Sequence, residues 1–515
     1  MLDALIRSIS PAWALSRAQA RLAEARLRDF SARYDGARVS RRTRGWNAPN
    51  SSANVETRDD LERLRSRSRD LVRNNPYASA GLRALVGYQV GTGIVPQSRT
   101  GDDALDRQAN ALWAEWSGHA DAGRRHDIYG LQALAARTRA EAGEALVVLR
   151  PLSATEARRR GSPVPLVLHV MEPDHLEQTL DTPLQAGAVQ GVEMDEFGAP
   201  VAYRILPQHP GDWNARPDAV RVPARFVRHL YRQTRPGQVR GVPDLAPVMT
   251  RLRLLDEYED AVFMQQLSQS VVAAFVTSSA DAGLGPMEAP PDGATPGVKS
   301  LSPGMIERLL PGEDVEFLTP SGTGPFAEFC RHQLRAVATG YGLTYDLLTG
   351  DLTQANYSSL RAGRLAFKRA LEQDQWLMLI PQVCTPVWDA FVAAAVEAGR
   401  LPMKRGAWPV EWAPPRFEMV DPLKDTMAIK EQLRLGLLTW GQAVAEMGWD
   451  PEKQAEQIAA WNAKHDDAGL VFDGDARRVA AGGAAHDAKQ IAAVEIGATG
   501  AALAAPATGD VTNAG

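Results

Sequence analysis

The side chains able to do chemistry are few and scattered. Histidines number nine in 515 residues, and one pair, His119 and His126, sits in a loop, where it reads as solvated rather than metal-bound. Cysteines number two, Cys330 and Cys384, each on an apolar-periodic segment; they read as reduced core residues, and a disulfide scaffold or thiolate metal site is not expected. Asp256, Glu257, Glu259 and Asp260 have the oxygens that magnesium takes, but they lie on a long helical pattern where acids form a solvent face. No glycine-lysine phosphate loop, zinc-protease helix or CxxC pair occurs. The "SGTG" at Ser321 lacks the strand-turn-helix setting of a hydrolase nucleophile, and the "DEFG" at Asp195 lacks every other kinase motif. No catalytic residue, metal or cofactor is assigned.

One stretch has a different kind of pattern. In "QANYSSLRAGRLAFKRALEQDQW", Gln354 to Trp376, small polar residues lead into a basic helix. Ser358 and Ser359 can cap that helix, and Arg361, Arg364 and Lys368 follow at i, i+3 and i+7 on one side. The stripe can contact nucleic acid or pair with acids such as Glu372, four residues beyond Lys368.

The elements that must position this stretch follow from periodicity. Composition is that of a globular chain, 44% apolar with a formal charge of −5, and the length calls for several structural units. Charge is uneven: residues 1–75 hold sixteen arginines and nine acids, whereas 466–515 hold three basic residues and seven acids. Such asymmetry marks interaction arms and tails. Residues 1–55 read as a basic helical arm. Leu61, Leu64 and Leu71 then repeat at helical spacing up to Pro76, and a helix from there runs into a short strand past Gly91 and Gly93. Strand patterns dominate 141–232, with a hairpin turning at Phe197 to Ala199, so 56–240 is a mixed α/β unit.

A long helix over 244–270, capped by Asp244, carries an apolar stripe of Val248, Leu252, Leu255 and Val262. A second, 325–341, places Phe326, Cys330, Leu334, Val337 and Tyr341 on one face. Between them lies a Pro/Gly-rich excursion. Beyond the basic helix come another helix, a tryptophan-rich loop and a helical pair linked near Gly436 to Thr439. Residues 466–515 are Ala/Gly-rich and too poor in large apolar groups to offset chain entropy; disorder is expected there. The apolar run at 271–276 is too short to cross a bilayer, and no membrane partner is expected.

Three segments together resemble the lambda family of bacteriophage portal proteins: "RNNPYASAGLRALVGYQVGTGI" at 73–94, "NYSSLR" at 356–361, and "FEMVDPLKDTMAIKEQLRLGLLTWGQAVAEMGWDPE" at 417–452. They fall in the family's order over residues 60–465. The resemblance implies an α+β, mainly helical portal fold: arm 1–55, wing 56–240, stem helix 241–270, clip 271–324, second stem helix 325–345, tunnel loop 346–357, a crown-directed helix with C-terminal helices 358–465, and a tail 466–515. It implies a ring, commonly a dodecamer, at one capsid vertex of the virion, assembled in the host cytoplasm. Double-stranded DNA would pass through without sequence recognition, with terminase large subunit, major capsid, scaffold and head-completion or tail adaptor proteins as partners. The DNA-channel residues it implies are Asp351, Thr353, Gln354, Ala355, Asn356 and Tyr357. In the ring it implies, Arg361, Arg364 and Lys368 would meet either DNA or acids such as Glu372 and those of neighbouring subunits, and the second is favoured because inward-facing stripes would grip phosphate. Two other classes stay open on the residues alone: a capsid-associated adaptor without a channel, and a magnesium-dependent nuclease built on the acids near Asp256.

Overall fold

The structure, a computed structural model, describes residues 48–177, 188–213, 218–271, 275–278, 313–316, 326–353, 356–404, 406–415, 421–449 and 451–472, with short pieces within 12–46 and at 475–478. Most of the expected clip, and the tail past 478, lie outside the described residues. Met1–Glu56 separates as a unit of its own. Its described part is helical within 12–23 and leaves Trp13, Leu15 and Leu22 exposed.

In the larger unit, α1 (Leu61–Asn74) buries Leu61, Leu71 and Val72. It stops where Asn75 turns extended before Pro76. Asn75 then caps α2 (Pro76–Gln89), its Oδ1 accepting from the Ala78 N–H at 2.9 Å. The chain leaves α2 through Gly93, whose φ of +126° favours glycine. A Cβ there would stand 2.3 Å from the Tyr129 ring. Strand β1 (Val95–Ser98) follows.

Helices α3 (Asp103–Ser117) and α4 (Ile128–Ala142) precede the stretch read as strands. β2 (Glu144–Pro151) is the middle of a three-stranded antiparallel sheet, between β3 (Leu166–Met171) and β8 (Val227–Tyr231). A short helix α5 (Ala154–Arg160) connects β2 to β3. The other sheet is an antiparallel meander of β4 (Ala188–Val189), β5 (Val192–Met194), β6 (Pro200–Ile205) and β7 (Val220–Pro223). The expected hairpin is its β5–β6 turn, fastened by Asp195 Oδ1, which accepts from the N–H groups of Phe197 and Ala199 at 2.9 and 2.8 Å.

The long helix α6 (Met249–Val271) begins five residues later than expected. Asp244 does not cap it; its carboxylate accepts both bonds of a fork from Arg139 Nη1 at 2.8 and 2.9 Å. Val248, Leu252 and Leu255 are buried, but the stripe fades toward the far end, where Phe263, Met264 and Leu267 are exposed. β9 (Phe275–Ser278) and β10 (Glu313–Glu316) pair antiparallel within the excursion. Helix α7 (Phe326–Tyr341) buries Cys330, Leu334, Val337 and Tyr341, the face expected from its spacing. Gly81 of α2 lets it approach: a Cβ on Gly81 would lie 2.5 Å from the Tyr341 ring.

After α8 (Tyr345–Thr349) and a loop comes α9 (Tyr357–Asp374). It continues as a π-helical segment, Gln375–Cys384, into α10 (Thr385–Glu397). Pro381 stands inside that segment; it lacks the N–H of a regular α turn, and wider turns carry the helix past it. The stretch Ser359–Glu397 is long and apolar enough to cross a bilayer, yet half of its most apolar window is buried inside the chain, as in a core helix. Trp388 and Phe391 of α10 pack with Trp113 and Trp116 of α3 at ring separations of 5.0–5.3 Å.

The tryptophan-rich loop contains a strand, β11 (Val410–Ala413), which returns to pair with β1, Val95 opposite Ala413. The C-terminal segment forms three helices rather than two: α11 (Pro422–Arg434), α12 (Trp440–Glu446) and α13 (Pro451–Asp467). Gly448, in the left-handed region, and Pro451 divide the last two.

Candidate DNA-channel segment

The loop between α8 and α9 is held at both ends. Gly350 closes α8 in the left-handed conformation, and its N–H reaches the Asp346 carbonyl at 2.8 Å. Asp351 then organises the turn. Its Oδ1 accepts from the Thr353 N–H at 3.0 Å and hydroxyl at 2.6 Å, and Oδ2 accepts from the Tyr345 hydroxyl at 3.1 Å. The bonds from Thr353, with that from Tyr345, hold the exposed carboxyl below its ordinary range, so it stays charged. Leu352 is exposed beside it. Gln354 and Ala355 lie outside the described residues, as does the side chain of Tyr357.

The cap of α9 is Asn356, not Ser358 or Ser359. Asn356 is extended, so its Oδ1 reaches the Ser359 N–H at 2.8 Å, while the Asn356 N–H donates back to Ser359 Oγ at 3.2 Å. Ser358 is already inside the helix and too late to cap it.

The basic stripe is matched within the chain. Arg361 Nη2 lies 3.2 Å from Asp425 Oδ1 of α11, and Lys368 Nζ lies 3.6 Å from Glu372 Oε1. Arg364 is half-buried, and its Nε is enclosed without a hydrogen-bond partner among the described residues. Arg361 and Lys368 thus each face an acid of their own copy. Beside the stripe, Phe367 meets Tyr88 of α2 edge-on at 5.4 Å, and Leu371 is buried. Two of the three sequence signatures, 356–361 and 417–452, meet through Arg361 and Asp425.

The far end of α9 is fastened as well. Arg232 bonds Asp374 and also approaches Asp244, which Arg139 already holds. Beside this junction is a cluster that spacing did not reveal. Glu144, fully buried, accepts from Arg65, from Arg240 Nε at 2.9 Å, from the Gly241 N–H at 3.0 Å, and lies 2.7 Å from His229 Nε2. Burial raises the carboxyl's pKa, but Arg240 and Arg65 outweigh it and hold the group far below its usual range. His229, equally buried, is pushed down by desolvation, so it is neutral and donates to Glu144.

Among the described residues, the other groups singled out from the sequence are partnered or buried. Asp256 accepts from Asn75 Nδ2 at 2.9 Å rather than facing solvent alone, and Glu257 pairs with Arg253 at 2.8 Å. Glu172, Asp174 and His209 lie close enough to share an ion, but the Arg69 guanidinium already bonds both carboxylates. Cys384 is fully buried, its thiol pushed up to about 12 by burial, and cannot act as a nucleophile near neutrality.

Two long helices, two small antiparallel sheets and a loop fastened ahead of a third long helix make a mainly helical α+β chain, and comparison with known proteins shows its family. Residues 39–375 match the family described as phage portal protein, lambda family. The chain belongs to that family, whose members are subunits of the channel at a capsid vertex. It is 28% identical over 452 residues to a probable portal protein of Halomonas phage phiHAP-1, covering 82% of this chain and 85% of that one. It is 22% identical over 493 residues to portal protein B of Escherichia phage lambda, covering 84% and 90%. Among solved structures, a chain from the virion of a native gene transfer agent particle aligns with a TM-score of 0.45 at 16% identity, covering 76% of this chain and 94% of that one.

Proposed function

We propose that copies of this chain close into a dodecameric ring at one capsid vertex of the virion and that double-stranded DNA passes along its axis without being read. The observation that supports this is the contrast between loop and helix. Asp351, Thr353 and Asn356 have their polar groups committed to one another or to Tyr345 and Ser359. Behind them, Arg361 and Lys368 are neutralised within the chain. A moving duplex is slowed by free cations, which supply strong sequence-independent affinity, and by base-edge contacts, which would stop it at particular sites. Committed donors and a carboxylate offer neither.

On this reading the residue 271–324 excursion meets the terminase large subunit during packaging and head-completion or tail adaptor proteins afterwards. The wing, 56–240, faces major capsid and scaffold proteins. The chain performs no catalysis itself; the motor is separate. Electron microscopy of the purified protein tests the ring, and a packaging assay tests the loop. Rings with a central hole, and a loss of packaged DNA on removing residues 354–356 while rings persist, are the expected results. A monomer that cleaves DNA with magnesium would overturn the proposal.

A further inference from the structure

Helix α9 enters the core at one end only. From Asn356 to Ala366 none of its described residues is buried; Phe367 and Leu371 then join the core that α2 shares. At the loop end Arg361 bonds Asp425, but α11 itself buries no residue. The loop ahead of Asn356 is therefore carried on a lever whose fixed part is the far end. At 1.5 Å per residue the helix Tyr357–Asp374 is about 27 Å long, so a tilt of roughly 10° at the fixed end moves the loop by about 5 Å.

Apolar burial is non-directional and holds a helix down without setting its tilt, whereas hydrogen bonds between charged groups are directional. At the fixed end of α9 such bonds come from the end of β8. Arg232, just past the strand, bonds Asp374, the last residue of the regular turns, and its Nη1 lies 3.4 Å from Asp244 Oδ1. Asp244 stands in the turn that leads into α6 and is 9% exposed; buried Arg139 holds it from the other side, which makes it a fixed point. Tyr231, the last residue of β8, donates its N–H to Gln382 Oε1 at 3.0 Å, further along the π-helical segment. Gln375, at the start of that segment, donates from Nε2 to the Gln89 carbonyl of α2 at 2.9 Å. Two consecutive residues thus hold the wide turns and the α turn before them, and Arg232 also reaches the approach to α6.

We infer that Arg232 is a positioning residue: its guanidinium ties the fixed end of α9 to the turn before α6 and so sets where the loop ahead of Asn356 stands. This rests on the reading of that loop as the DNA-facing element and adds the residue that places it. A planar guanidinium addresses two carboxylates in set directions, which the single ammonium of lysine on its flexible stem does not. Without Arg232, Asp374 and Asp244 are left as like charges that push the end of α9 away from the α6 turn.

Full-length protein with spin labels at Thr353→Cys and Ala111→Cys, the latter exposed on α3, tests this; Cys330 and Cys384 are buried and stay unlabelled. Labelled copies are diluted with unlabelled ones, so that the distance is read within one chain. The unaltered protein should give one narrow distance. Arg232→Ala should shift or widen it by about 5 Å, and rings of that variant should package several-fold less DNA. Arg232→Lys keeps the charge, so its melting temperature should stay near that of the unaltered protein while the distance changes as in Arg232→Ala. A role in stability alone would instead move the melting temperature and leave the distance. An unchanged distance in Arg232→Ala would overturn the inference, and so would a distance restored by lysine. A changed distance with full packaging would keep the positioning role and remove the loop's part in packaging.

Discussion

Arg361 and Asp425, sixty-four positions apart, stand 3.2 Å from each other and join the first turn of α9 to α11. The pair ties the loop-bearing helix to the C-terminal helices of its own copy, so the cation is not free for DNA. Both side chains are partly exposed, and their coupling is worth about 0.5–1 kcal/mol. A double-mutant cycle with Arg361→Ala and Asp425→Ala, read by thermal unfolding, should return a coupling of that size that shrinks at high salt.

Asn356 is where loop chemistry and helix stability meet. Asn356→Ala should cost about 1 kcal/mol by removing the cap, whereas Asn356→Asp keeps an acceptor and should be close to neutral. Asn356→Pro removes both the acceptor and the N–H that Ser359 receives. Rings should still form in that variant while packaged DNA falls, and full packaging would count against the loop assignment.

The Glu144 cluster gives a pH dependence whose sign is fixed. His229 has a folded pKa below its ordinary 6.5, so protonation favours the unfolded chain. Its contribution is fully present above that value and declines as pH falls toward the lowered one. The melting temperature should therefore drop between about pH 7 and pH 5. His229→Gln, which can still donate to Glu144, should flatten that slope. Glu144 has a depressed pKa, so its contribution is lost only in stronger acid. Glu144→Gln strands Arg65 and Arg240 in the core and should cost about 3–5 kcal/mol at neutral pH.

Where α2 crosses α7, Gly81→Ala drives a methyl into the Tyr341 ring and should destabilise by about 1–3 kcal/mol. The Tyr341 hydroxyl is buried without a partner among the described residues. Tyr341→Phe should accordingly leave the melting temperature unchanged or raise it.

Much of this was legible from local pattern. The buried face of α7, the turn after Asp195 and the helix break at Asn75 each depend on residues within a few positions of one another. What spacing could not show is set by distant partners. β11 pairs with β1 across most of the chain, and Glu144 collects charges from Arg65 and Arg240. That Asp425 stands beside Arg361 could not be chosen from sequence, because nothing local places α11 next to α9. Asp244 illustrates the opposite error: its type suits a cap, yet Arg139 and Arg232 claim its carboxylate before the helix starts.

The central claim is that the loop, and not the basic stripe, is the element that meets DNA. Photo-crosslinking groups placed singly at position 353 and at position 364, in particles stalled during packaging, test this directly. DNA adducts from position 353 and none from 364 are expected. Adducts from 364 with none from 353 would contradict the account.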